Sequence, residues 1–181
     1  IDNIWYHFRD NGTIDIGWRE IDGYWYYFNN DGEMQKGWQT IGKYKYYFND
    51  NGVMSIGWRT IESEWYYFNN SGSMMTGWQN INGSWYHLRE NGVMDIGWKY
   101  INNEWYHLNE NGPMDIGWKK INNDWYYFNN NGEMKIGWQN INDTWYHLKE
   151  NGVMDTKWNK INDYWYYFND DGKMINNQYI D

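Results

Sequence analysis

Apolar positions fall on a fixed lattice along the 181 residues. One stretch shows it: Ile121-Asn122-Asn123-Asp124-Trp125-Tyr126-Tyr127-Phe128-Asn129-Asn130-Asn131-Gly132-Glu133-Met134-Lys135-Ile136-Gly137-Trp138-Gln139-Asn140. Written generally, the unit is I-x-x-x-W-Y-[YH]-[FL]-x-x-x-G-x-M-x-x-G-W-x-x. It opens at Ile1, Ile21, Ile41, Ile61, Ile81, Ile101, Ile121, Ile141 and Ile161. Nine copies therefore follow one another without insertion, and the period predicts a single repeat array over residues 1–181. In such an array each unit packs on its neighbours and there is no one globular core.

Within the second copy, Asp22-Gly23 is a turn signal. Trp25-Tyr26-Tyr27-Phe28 is a short strand of high β-propensity. Asn29-Asn30-Asp31-Gly32 is a second turn, and Glu33–Trp38 a second strand interrupted by Gly37. The two runs joined by Asn29–Gly32 read as a β-hairpin. A helix is excluded by the frequent Gly and the lack of a 3.6-residue period. Strand alternation puts Trp25 and Tyr27 on one face and Tyr26 and Phe28 on the other. The Tyr26 position is always Tyr and the Phe28 position always Phe or Leu, as internal packing requires. The other face accepts Lys45 in place of Trp, and His7, His87, His107 and His147 in place of Tyr. That face is the wetter one and the candidate for ligand contact. The ends depart from the pattern: Lys157 replaces the Gly before Trp158, and the ninth copy ends without Gly-Trp. Terminal repeats of an array are expected to differ in this way.

Composition sharpens this picture. Aromatic residues make up 23% of the chain, with 16 Trp and 19 Tyr, while mean hydropathy is -1.05. Rings must supply most of the buried area, at roughly 150–250 Å² each. A net charge of -9 argues against nucleic acid, which needs excess Lys and Arg, and suits a cationic ligand. Without cysteine there is no disulfide framework and no thiolate metal site. No apolar run approaches the roughly 18 residues of a membrane span, so no membrane insertion is expected. No signal peptide is visible, and the chain opens in mid-pattern, as a module cut from or appended to something larger. The four His lack a zinc-ligand spacing, and the Asp- and Asn-rich turns lack the bidentate Glu of a calcium loop. No catalytic triad, converging carboxylate pair or phosphate loop is present, so neither an enzyme nor a cofactor is expected.

The motif G-W-x-x-I-x-x-x-W-Y-Y-F-x-x-x-G-x-M-x-x-G-W resembles the cell-wall-binding, or choline-binding, repeats of Gram-positive surface proteins, lytic enzymes and phages. Related repeats of clostridial toxins and glucan-binding proteins share the Y-Y-F and Gly-Trp elements, with another residue for the first Trp, as in Lys45-Tyr46-Tyr47-Phe48. The resemblance implies an all-β, left-handed solenoid of hairpins. It also implies ligand cages made of two Trp from one hairpin and a Tyr from the next, with a Met nearby. Carried onto this chain, Trp18 and Trp25 would meet Tyr47 and Met54. Trp98 and Trp105 would meet Tyr127 and Met134, and Trp138 and Trp145 would meet Tyr167 and Met174. Three cages would offer His instead: Trp58 and Trp65 with His87, Trp78 and Trp85 with His107, and Trp118 and Trp125 with His147. The Trp38 site, with Lys45 as its second wall, is expected to reject a cation. The pair Trp158 and Trp165 has no following repeat.

The implied function is non-catalytic attachment of a secreted or cell-surface protein to choline groups of teichoic or lipoteichoic acid. Three rings give a site of about -4 kcal/mol, in the millimolar range. His cages are expected to be weaker once His is protonated below roughly pH 6.5. Two other readings stay open. One is a lectin-like array for glucan or host glycans, toward which Lys45 and the His residues point. The other is a structural spacer, with a homodimer through terminal repeats. An aromatic stripe in a solenoid also serves packing, and the Met position is packing first and a cage floor second.

Overall fold

The computed structural model describes residues 4–176 and divides the chain into two compact units, Ile1–Asp95 and Ile96–Asp181. The first unit contains β1 (Gly17–Ile21), β2 (Tyr24–Phe28), β3 (Gly37–Ile41), β4 (Tyr44–Phe48), β5 (Gly57–Ile61), β6 (Glu64–Phe68), β7 (Gly77–Ile81) and β8 (Ser84–Leu88). The second contains β9 (Gly97–Ile101), β10 (Glu104–Leu108), β11 (Gly117–Ile121), β12 (Asp124–Phe128), β13 (Gly137–Ile141), β14 (Thr144–Leu148), β15 (Lys157–Ile161) and β16 (Tyr164–Phe168). Consecutive strands pair in antiparallel twos, so both units are all-β solenoids of hairpins. The described residues form eight hairpins, not nine. Before β1, the described residues of the first copy add only the isolated bridge between Phe8 and Ile14.

The hairpins are not the ones expected. Trp25–Phe28 does not pair with Glu33–Trp38; it pairs backwards with Gly17–Ile21, in the register Trp18 with Tyr27 and Glu20 with Trp25. The connection is the two-residue turn Asp22-Gly23, with φ of 51° and 78°. Two positive φ values in succession make the turn whose twist matches paired strands, and Asp, Asn and Gly tolerate them best. The Asn29–Gly32 turn forms as read. Asn29 Oδ1 accepts the amides of Asp31 and Glu33, and Gly32 N–H donates to the Asn29 carbonyl. Only one bridge follows it, between Phe28 and Met34, before the chain turns at Gly37 with φ of 66°.

That bridge places Met34 between copies. Its amide donates to the Trp5 carbonyl at 2.9 Å, and the Met54 amide donates to that of Trp25 at 2.8 Å. The same bond joins Met134 to Trp105, Met154 to Trp125 and Met174 to Trp145. The interior between copies is the Phe or Leu position: Phe48, Phe68, Leu88, Leu108, Phe128, Leu148 and Phe168 are all 0% exposed. A later glycine closes on Met34, Met54, Met74, Met114, Met134 and Met154. A Cβ on Gly72 would stand 2.2 Å from Met54 Sδ, so only glycine lets that turn lie flat on the sulfur.

Candidate ligand cages

Trp18 lies on one face of its hairpin with Trp25 and Tyr27, because Trp18 and Tyr27 are directly paired and Trp25 is their diagonal neighbour. The ring centroids of Trp18 and Trp25 are 6.3 Å apart at 74°. The next hairpin answers with its opposite face. Tyr46 meets Trp18 at 4.9 Å and 65°, and Phe48 closes the bottom at 5.7 Å. Met54 joins Tyr46 and Phe48 in the cluster against which Trp18 packs. The pocket so formed, of about 280 Å³, is lined by Trp18, Trp25, Tyr46, Met54, Asn70 and Ser71. Three successive hairpins and the turns after them thus build one cage: the hairpin of β1 and β2 gives two indoles, that of β3 and β4 a phenol with the thioether that follows it, and the turn after β6 a polar rim. Its volume sits at the low end of the roughly 300–1,000 Å³ usual for ligand pockets and suits a compact head group.

The geometry recurs. Trp58 stands 6.3 Å from Trp65 and 4.9 Å from Tyr86. Trp98 stands 6.3 Å from Trp105 and 4.8 Å from Tyr126. Trp138 repeats both contacts with Trp145 and Tyr166. Trp118 meets Tyr146 at 4.8 Å, and Tyr146, Leu148 and Met154 form the cluster beneath it. The outer indole is open to solvent in each pair: Trp25, Trp65, Trp105, Trp125 and Trp145 are all exposed. A second hollow of about 410 Å³ repeats the plan around Trp5, Tyr26, Met34, Asp50 and Asn51, with one Trp fewer.

These contacts correct the expected third wall. Trp18, Trp25 and Met54 come together, but Tyr47 does not join them; it lies on the far face of its hairpin, 5.2 Å from Trp38. Alternation is the reason. The residue that faces back toward the preceding copy must share a face with Phe48, and that residue is Tyr46. By the same rule Tyr126 replaces Tyr127, Tyr166 replaces Tyr167, Tyr86 replaces His87 and Tyr146 replaces His147. Tyr127 and Tyr167 instead lie 5.1 and 5.2 Å from Trp118 and Trp158 in their own hairpins. The Met134 and Met174 amides donate to the Trp105 and Trp145 carbonyls, as that of Met54 does to Trp25. Trp78 and Trp85 belong to the first unit and His107 to the second. Within its own unit Trp78 faces His87 at 5.0 Å, and His107 faces Trp98 at 5.0 Å. The always-Tyr column, read earlier as packing alone, was the sequence signal for the third wall.

The histidines have another role. Nδ1–H of His7 donates to Asp15 at 2.6 Å, and those of His87, His107 and His147 donate to Asp95, Asp115 and Asp155 at 2.7 Å. Every copy with His carries Asp eight residues later. The five copies with Tyr carry Gln35, Ser55, Met75, Lys135 and Ile175 there. These Asp side chains are buried, which demands a partner. Arg9 and Arg19 complete the set at Asp15, Arg89 adds to Asp95 at 2.7 Å, and Lys149 approaches Asp155 at 3.6 Å. The imidazoles of His87, His107 and His147, each 5.0 Å from the indole of its own hairpin, are therefore a fixed second layer and not a third cage wall, whereas His7 lines the hollow around Trp5. Burial raises the phenol pKa of Tyr66 and Tyr126, so these third walls stay neutral.

Comparison with known proteins agrees with this plan. No curated protein sequence matches the chain. Among solved structures, choline binding protein F from Streptococcus pneumoniae, crystallised with a peptidoglycan analogue, has a TM-score of 0.87 at 36% identity. The match covers 94% of this chain, which spans 61% of that protein. CbpJ from Streptococcus pneumoniae TIGR4 gives 0.81 at 32% identity, covering 97% of this chain and 79% of that one. The choline-binding domain of CbpL from Streptococcus pneumoniae gives 0.60 at 32%, covering 89% and 87%. A family model for a cell wall binding repeat matches residues 1–14 and 156–174. The model described as choline-binding repeat matches 16–56, 36–76, 55–94, 75–116, 96–136 and 115–154, and so nearly all the rest. The chain belongs to the choline-binding repeat family.

Proposed function

We propose that the chain is a non-catalytic attachment module, acting as one array, that binds choline groups of a cell-wall polymer such as teichoic or lipoteichoic acid. This reading places it at the cell surface or among secreted proteins and requires one copy only. The observation that carries it is the cage of Trp18, Trp25, Tyr46 and Met54, repeated along the chain. A quaternary ammonium has no N–H to donate, so hydrogen bonds cannot recognise it. Ring faces can, because their quadrupole is negative, and each contact contributes roughly 0.5–2 kcal/mol. One cage then holds choline in about the millimolar range. Several on one scaffold reach useful avidity for a polymer bearing many such groups. The acidic surface, at a net charge of -9, favours the same ligand. The Nδ1 atoms of His87, His107 and His147 are committed to buried aspartates and are not available to a sugar.

The test is a choline titration followed by tryptophan fluorescence and melting temperature. Saturation in the millimolar range with a rising melting point is expected. Trp98→Ala should remove one site and leave the array folded. A response to glycans with none to choline would overturn the reading.

A further inference from the structure

Six hairpins carry two Trp and are followed by another copy; the hairpin of β3 and β4 carries Lys45 where the second Trp belongs. The backbone there is unchanged. Lys45 pairs with Thr40 as Trp25 pairs with Glu20, and its carbonyl accepts the Met74 amide at 2.8 Å as Trp carbonyls do elsewhere. The remaining walls are also present. Tyr66 stands 4.9 Å from Trp38 and Phe68 stands 5.8 Å from it. Only the contents differ. Lys45 Nζ lies 4.5 Å from the centre of the Trp38 ring, inside the 6.3 Å at which the second indole stands in its neighbours. That is within the roughly 6 Å at which a ring face attracts a cation.

We infer that the Trp38 cage is self-liganded: the Lys45 ammonium is its resident cation and closes it to choline. The inference rests on the cages being quaternary-ammonium sites, and it adds which of them the chain withholds. A tethered ammonium competes at a fixed local concentration that free choline in the millimolar range does not match. It also repels a second positive charge at the same ring. Lys45 therefore sets the number of choline groups bound, and leaves a gap between the Trp18 and Trp58 cages along the first unit.

The test follows assigned tryptophan Nε1–H resonances during a choline titration of the whole chain, in wild type, Lys45→Trp and Lys45→Gln. In wild type the indoles of Trp18, Trp58, Trp98, Trp118 and Trp138 should shift and that of Trp38 should stay still. Lys45→Trp should bring Trp38 in with its neighbours and raise the stoichiometry by one. Lys45→Gln removes the charge without restoring a ring, so Trp38 should respond about tenfold more weakly than the intact cages. An unchanged Trp58 response reports that each variant is folded. Trp38 shifting in wild type together with the others would overturn the inference, and so would its silence in either variant. If no wild-type indole responds, the choline reading itself fails.

Discussion

A carboxylate that is 1% exposed, Asp15, stands beside Arg9, Arg19 and His7. Burial alone would raise its pKa; hydrogen bonds from the two guanidinium groups and the imidazole outweigh that and hold it well below the usual aspartate range. The sign of the pH effect follows. The folded value is depressed below the unfolded one of about 3.9, so the unfolded chain takes up this proton first as pH falls. The stabilisation is complete above about pH 5 and is lost progressively as acid approaches the folded value. Melting temperature should thus fall more steeply between about pH 5 and 2 in wild type than in Asp15→Asn. Parallel acid limbs in the two proteins would contradict this. The same pairing explains why His appears only with Asp eight residues on. The imidazole could be read as a wet-face substitution from sequence, but its partner lies across a turn whose pairing the alternation alone does not reveal.

At the level of the element, the two-residue turn and the glycine before Trp decide the hairpin. Asn and Asp tolerate the positive φ of the turns, as at Asn122 and Asn123 with 50° and 74°. Lys157 has no such excuse. It sits at φ of 63° where other copies have glycine, and a side chain there costs about 1–2 kcal/mol. Lys157→Gly should therefore stabilise the last hairpin by about 1 kcal/mol, read as a higher midpoint in thermal or urea unfolding. An unchanged or lower midpoint would contradict the strain. The strands themselves were legible in the periodic Trp-Tyr-Tyr-Phe run, and so was the buried Phe128 column. The partner of each run was not. Both flanking segments carry an Asx-Gly turn signal, and only the positive φ at both Asp22 and Gly23 selects the preceding Gly-Trp strand.

For the whole molecule, repetition converts a modest site into a useful one. The two indoles of each cage follow from the unit's spacing, and the Met floor follows from its fixed place after the turn. The third wall needed the stacking direction: Tyr126 and not Tyr127 faces back to Trp98, because it shares a face with Phe128. Trp38 shows that the array is not uniform, since one cage is closed by the chain's own lysine. The most direct test of the account is a crystal structure of the chain with choline bound. The trimethylammonium group should lie between Trp98, Trp105 and Tyr126, and likewise between Trp138, Trp145 and Tyr166, with the Trp38 cage still holding Lys45. Choline seated against Tyr127 or Tyr167, or absent from every double-Trp cage, would contradict it.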